Sequence, residues 1–354
     1  MVPSSSHSLD SLRVEVNSLI DQLPDMMHGE LIQQAITTLV RMAEVEADRL
    51  DWKILNASLQ DMERAFRGFY PYRHVRKVTI FGSARILPES LHYKMAAEFA
   101  RYITQQGFMV MTGAGGGIMQ AGNEGAGADR SFGLNIQLPF EQGANPFIEG
   151  DRKLINFKYF FTRKLFFLRE SDALALFPGG FGTQDEAFEC LTLIQTGKSD
   201  LLPLVLIDQP GGEYWLEWQD YVKNQLLRNG LISPDDLSLY TITDRLDVAY
   251  EAIAGFYRVF HSSRYSQGKL VLRLKCELSD ADVAYLNQTY SDILLEGKIE
   301  QHPAVPEEIN GEIAELSRLM MSFNQRDLGR LYQMIRMINQ MGAPSAERDH
   351  PEQK

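Results

Sequence analysis

Between residues 77 and 260, short apolar runs alternate with longer stretches in which apolar residues recur every three to four positions. Val78-Thr79-Ile80-Phe81, Phe108-Met109-Val110-Met111, Gly133-Leu134-Asn135-Ile136-Gln137-Leu138, Ala173-Leu174-Ala175-Leu176-Phe177 and Leu204-Val205-Leu206-Ile207 have the length and composition of buried strands. Helices are expected over 89–106, 116–128 and 158–171, from Thr183 onward, and near 213–229 and 244–260, with an irregular loop from Pro139 to about Asn156. Continuous apolar strands separated by helices imply a Rossmann-like, doubly wound parallel sheet of the α/β class, covered by helices on both faces. In such sheets, ligands gather in the loops outside the strand C-termini.

The flanks read differently. Over 9–70 the pattern is helical: Ile32, Ile36, Leu39, Val40 and Ala43 fall on one helix face, and Leu55, Leu59, Met62 and Phe66 continue with similar spacing. Past 265, Leu270-Val271-Leu272-Arg273-Leu274 is strand-like, Ser279-Asp280 opens a helix to about Leu295, 298–302 and 317–323 suit strands, and 327–341 suits a helix. The expected organisation is an N-terminal helical segment (1–74), a Rossmann-like domain (75–262), a small α+β extension (263–341) and a polar, disordered tail (342–354).

A net charge of −12 argues against a nucleic acid polymer or an anionic membrane as a bulk partner, so a phosphate ligand would need a local site. Two distant cysteines, no apolar run near membrane-spanning length and no signal-peptide pattern at the N-terminus lead to the expectation of a cytoplasmic protein. Seven scattered histidines show no metal-ligand spacing, so no metal is expected.

Four segments carry candidate chemistry. Pro178-Gly179-Gly180-Phe181-Gly182-Thr183-Gln184-Asp185-Glu186 joins the strand at 173–177 to a helix. A glycine-rich turn at a helix N-terminus offers free N–H groups and a positive dipole end to an anion. Thr183 there can cap the helix, and Thr183-x-x-Glu186 is also a capping-box pattern, which gives Glu186 a structural reading beside the chemical one. Thr112-Gly113-Ala114-Gly115-Gly116-Gly117-Ile118-Met119 also joins a strand to a helix, but Ile118 stands where a dinucleotide fingerprint requires its third glycine, and no strand-end acid follows. In Phe81-Gly82-Ser83-Ala84-Arg85, Ser83 can donate a hydrogen bond and Arg85 can neutralise phosphate, or lie on the surface. In Tyr159-Phe160-Phe161-Thr162-Arg163-Lys164-Leu165, adjacent helical positions diverge by about 100°, so one cation is expected to face the site, Arg163 being favoured.

Together these segments resemble the Lonely Guy family, often labelled "possible lysine decarboxylase". Residues 178–186 match its PGGxGTxxE signature throughout, Arg163-Lys164 matches its upstream Arg-Lys pair, and the glycines of 113–117 followed by Ile118-Met119, with Gly82-Ser83, match its other loops. The resemblance covers about 75–260 and implies a homodimer, or a higher homo-oligomer, that hydrolyses nucleoside 5′-monophosphates to a free base and ribose 5-phosphate, without a cofactor. Cytokinin riboside monophosphates and ordinary nucleotides such as AMP are the substrates it implies. Carried over, Arg163 and Glu186 form the catalytic pair; Gly179, Gly180, Gly182, Thr183, Ser83, Gly115 and Gly116 hold phosphate and ribose; Arg85, Lys164, Phe167 and Asp185 are candidate contacts to phosphate or base. Thr162 stands where plant-like members have Glu, Phe167 where they have Met, and Asp185 replaces the first Glu of their pair; Phe160, Phe161 and Phe167 suggest a different base pocket. Decarboxylation calls for an electron sink such as pyridoxal phosphate on a lysine, and no lysine is marked for it. The alternatives are a nucleotide sensor that uses the same cradle without turnover and, ranked lower, a dinucleotide oxidoreductase.

Overall fold

The computed structural model describes residues 14, 18, 27–45, 47–136, 143–303 and 313–342. The expected tail after Gly342 and the end of the strand expected at 133–138 lie outside them. The chain divides into two compact units, Met1–Gln60 and Asp61–Lys354. The first holds helix α1 (Gly29–Glu44) and the start of α2 (Arg49–Phe69). No residue of α1 is buried, including the apolar stripe from Ile32 to Ala43.

The second unit is built on seven parallel strands: β1 (Lys77–Phe81), β2 (Met109–Thr112), β3 (Ser131–Ile136), β4 (Leu154–Phe157), β5 (Ala173–Leu176), β6 (Leu204–Ile207) and β7 (Tyr240–Thr243), in the order β4-β3-β2-β1-β5-β6-β7. Between them run α3 (Leu91–Gln105), α4 (Ile118–Ala126), α5 (Phe160–Glu170), α6 (Phe181–Gln195) and α7 (Tyr214–Tyr221), with α8 (Leu246–Ala254) after β7. The strand residues alternate between two cores: Val78 and Ile80 face α3, α4 and α8, whereas Phe81, with Met109 and Met111 of β2, faces α5 and α6. This is the doubly wound architecture expected. The order reverses between β1, which pairs Val78 with Ala173, and β5, so the topological switch point lies where Gly82 and Pro178 leave the sheet.

β4 and β7 occupy the two edges and were not expected from sequence. Each is four residues long and only partly buried, so neither shows the continuous apolar run of a central strand. The expected helix over 213–229 is α7 followed by a π-helical stretch, Val222–Leu227; that over 244–260 ends as α8 and a short 3₁₀ turn, Gly255–Tyr257.

A four-stranded antiparallel sheet follows: β8 (Phe260–Ser266), β9 (Lys269–Leu274), β10 (Leu294–His302) and β11 (Ser317–Phe323), ordered β10-β11-β9-β8, with helices α9 (Asp280–Thr289) and α10 (Leu328–Met341). Leu272, Leu319, Phe323 and Ile335 belong to the same apolar core as Leu174, Ile194 and Trp215. The extension therefore shares a core with one face of the parallel sheet. α9 ends at Thr289, short of the expected Leu295, which lies instead in β10. β8 is polar on an edge and carried no strand signal.

Candidate functional site

Three loops meet at the switch point. Ser83 N donates to Pro178 O (3.1 Å), Phe177 N to Phe81 O (2.9 Å) and Ile118 N to Ser83 O (3.1 Å), so the backbone ties the β1, β2 and β5 loops together. Gly117, at φ 60°, is where a side chain would collide: a Cβ there would lie 2.2 Å from Ser83 O. Ser83 Oγ accepts from Arg85 N (3.1 Å), and the Arg85 side chain is exposed.

The turn at 178–182 feeds α6 directly. Gly179 packs so closely that a Cβ would sit 2.1 Å from Thr183 Oγ1, whereas Gly180 and Gly182 have open space where a Cβ would be. Open glycines at a helix N-terminus leave their N–H groups accessible to an anion. The expected cap does not form. The N-cap is Gly180, with no side-chain cap bond, so the helix starts two residues before Thr183 and the Thr183–Glu186 capping box is absent. The physical reason is that Thr183 already lies inside the helix and its hydroxyl is buried beneath Gly179. Tyr214 supports the turn from the β6 side: its hydroxyl donates to Gly179 O and accepts from Gln184 Nε2 (2.7 Å).

Gly115 is placed by a residue that sequence reasoning missed. Buried Asn145 donates from its backbone to Ala114 O (2.8 Å) and from its side chain to Gly115 O (3.1 Å) and Asn123 Oδ1 (2.9 Å); Asn123 Oδ1 also accepts the Thr112 hydroxyl (2.7 Å). Ala114, just before Gly115, has φ 61°, a conformation that non-glycine residues adopt at a cost.

Glu186 is freed from capping and points into a cluster of charges. It is 9% exposed, and burial, first, pushes its carboxyl from 4.5 up to about 7; Glu189 and Asp185 add to the rise, while Lys164 and Arg163 oppose it. Lys164 Nζ lies 2.8 Å from Asp185 Oδ2 and 3.9 Å from Glu186 Oε1, and pairs with Glu189. Burial alone would lower the Lys164 ammonium, but its bonds to Asp185 and Glu189 and the charges around it hold it above its ordinary value. Arg163 turns the other way, donating to Leu134 O (2.7 Å) and Gly113 O (3.2 Å) over the ring of Phe167. The expectation that a single cation faces the site is thus corrected. The two do diverge, yet both charges act on Glu186, and it is Lys164 that ties α5 to the carboxylates of α6. Phe167 is fully buried against Phe81, beneath Arg163, whereas Phe160 and Phe161 are more than half exposed.

The N-terminus of α5 has no cap of its own: Tyr159 is the N-cap without a side-chain bond. Asp61 of α2, fully buried, holds the segment that leads into the helix. Its carboxylate accepts from Lys158 N (3.0 Å), Tyr159 N (3.3 Å) and the Thr162 hydroxyl (2.8 Å), and pairs with Arg64 (2.5 Å). The threonine before Arg163 thus has a specific partner. No signal in a single sequence links Asp61 to it across a separation of 101 positions.

Residues 111–253 match the family described as "possible lysine decarboxylase". The "cytokinin riboside 5′-monophosphate phosphoribohydrolase" of Mycobacterium tuberculosis (strain ATCC 25618 / H37Rv) is 29% identical over 172 residues, spanning 46% of this chain and 84% of that protein. Among solved structures, the molybdenum cofactor carrier protein of Chlamydomonas reinhardtii aligns with a TM-score of 0.34 at 18% identity, over 51% of this chain and 96% of that one. The molybdenum cofactor binding protein of Rippkaea orientalis aligns with a TM-score of 0.34 at 16% identity, over 50% and 93%.

Proposed function

Because the segment 111–253 belongs to the possible lysine decarboxylase family, the Lonely Guy family, we propose that this protein hydrolyses the N-glycosidic bond of a nucleoside 5′-monophosphate, releasing the free base and ribose 5-phosphate. One observation carries the reading: a buried carboxyl that titrates near neutrality stands one turn inside the helix whose open glycine turn suits a phosphate.

The 5′-phosphate lies on the N–H groups of Gly180 and Gly182, with Thr183 and the Ser83, Gly115 and Gly116 backbone around the ribose. Remote phosphate binding fixes the sugar and supplies orientation. Breaking the C1′–N bond builds positive charge on the ribose; the Glu186 carboxylate stabilises it and orients the water, whose oxygen joins C1′ while a proton goes to the departing base. Arg163, braced on Gly113 O and Leu134 O, holds the β2 and β3 loops and offsets negative charge in the crevice. Asp185 and Lys164 set the charge around Glu186. The family's decarboxylase description fits less well. A Schiff-base lysine needs a lowered pKa, and Lys164, the lysine beside Glu186, is held raised among carboxylates.

The test incubates the protein with AMP, a cytokinin riboside monophosphate and a panel of other monophosphates, and assays ribose 5-phosphate. Release from at least one, abolished by Glu186→Gln, is expected. Saturable nucleotide binding with no product across the panel would instead leave the protein a nucleotide sensor.

A further inference from the structure

A large cavity lies at the end of the parallel strands opposite the glycine loops. It has a volume of about 950 Å³ and is bounded by the strand N-termini, at Lys77 of β1, Asp172 before β5 and Leu202 before β6, and by β8 and α10 of the antiparallel sheet. Small-molecule sites run to about 300–1,000 Å³. Six Lys/Arg side chains line it against four carboxylates, in a chain whose net charge is −12.

Three of the four carboxylates are already paired, and burial raises the pKa of the fourth, Asp200, which favours its uncharged form. Asp172 is already bound by Arg76 (2.8 Å), Glu170 lies by Lys77 (3.8 Å) and pairs with Arg169, and Glu189 pairs with Lys164. Among the described residues, Arg73 and Lys198, both exposed at the cavity, carry no ion pair. The field on the β8 side is positive: burial, and then the charges of Arg76, Lys275 and Arg273, hold the His261 imidazole below its ordinary pKa. Aromatic walls complete the cavity, with Phe161 and Tyr265 at least half exposed and Tyr257 beneath the Arg76 guanidinium at 3.7 Å. Multiple cations beside half-exposed rings suit a polyphosphate attached to a base, since guanidinium groups pair with phosphate and rings stack on a base.

We propose that this cavity is a second ligand site, separate from the Glu186 crevice, for a nucleotide bearing two or more phosphates. The two sites share elements. Phe161, Leu165 and Leu168 of α5, with Glu189 and Leu193 of α6 and its C-cap Thr196, line the cavity at helical spacing, and the same helices carry Arg163 and Glu186.

The test is calorimetric titration of ADP into the full chain carrying Gly182→Asp, which places a negative charge in the open turn at 180–182 and removes phosphate from the crevice. One ADP per chain is expected to bind, with adenosine giving no measurable heat. Arg73→Glu with Lys198→Glu, both at exposed positions, is expected to weaken ADP at least tenfold while leaving the thermal midpoint unchanged. No saturable ADP binding to the Gly182→Asp protein, or an affinity unchanged by the double charge reversal, overturns the proposal. The result does not depend on hydrolysis, because a crevice that turns over no monophosphate leaves this titration as it is.

Discussion

Glu186→Gln separates the burial of the carboxyl from every other feature of the site. Burial moves the carboxyl from 4.5 to about 7, which at about 1.4 kcal/mol per pH unit costs the ionised native state about 3 kcal/mol. The sign follows from proton uptake. Between pH 4.5 and about 7 the native state holds a proton that the unfolded state has released, so this group makes stability fall as pH rises through that window. Below 4.5 both states are protonated and the cost is absent; above 7 it is complete. Glutamine cannot ionise, so the variant's stability relative to wild type should climb by about 2.5 kcal/mol between pH 5 and pH 8.5. Urea denaturation at half-unit pH steps measures it, with matched slopes confirming that the unfolded states are alike. A stability difference that stays flat across the range would show that the carboxyl is not held near neutrality, and the charge cluster around it would lose its meaning. If the carboxylate is the acting form, turnover should rise with a midpoint near 7 in the wild type.

Lys164→Met removes the largest influence opposing the rise at Glu186; the pH–rate midpoint should move upward by about one unit, checked with the same assay, and an unmoved midpoint would exclude Lys164 from setting it. Asp61→Ala takes the carboxylate acceptor from the part-buried amides of Lys158 and Tyr159 and from the Thr162 hydroxyl, which keeps Tyr159 O; a loss of about 2 kcal/mol in urea is expected, and a cost below about 0.5 kcal/mol would mean that water replaces it. Gly179→Ala drives a methyl into Thr183 and should lower the melting midpoint by several degrees, whereas Gly180→Ala meets open space and should leave it within a degree or two. Paired thermal scans decide it, and equal effects would contradict the described turn.

The central strands and the glycine turns were legible because each is a local signal: an apolar run, a Gly-Gly at a strand end, a 3.6-residue period. What escaped was set by partners distant in sequence. β4 and β7 gain their identity from lying beside β3 and β6, not from their own composition. Asn145 comes from an irregular loop to brace Gly115, and Tyr214 reaches from beyond β6 to Gly179. Thr183-x-x-Glu186 shows the converse failure, in which a pattern that spells a cap lies inside a helix that the glycine at 180 has already started. Arg163 and Lys164 were correctly read as diverging, but which carboxylates Lys164 would meet depends on α5 lying beside α6.

Asp61 also bears on the order in which the molecule acquires its site. Its contact with Thr162 spans 101 positions, and the entropy of closing so long a loop must be met before the contact returns anything. Until Asp61 is in place, the amides of Lys158 and Tyr159, which lead into α5, lack the carboxylate that accepts them. During synthesis the parallel sheet can begin from its neighbouring strands, while the crevice stays unformed until α5 has been made and has found a carboxylate laid down about a hundred residues earlier. The entrance to the helix that carries Arg163 and Lys164 thus depends on a long-range contact made by a residue that takes no part in the chemistry.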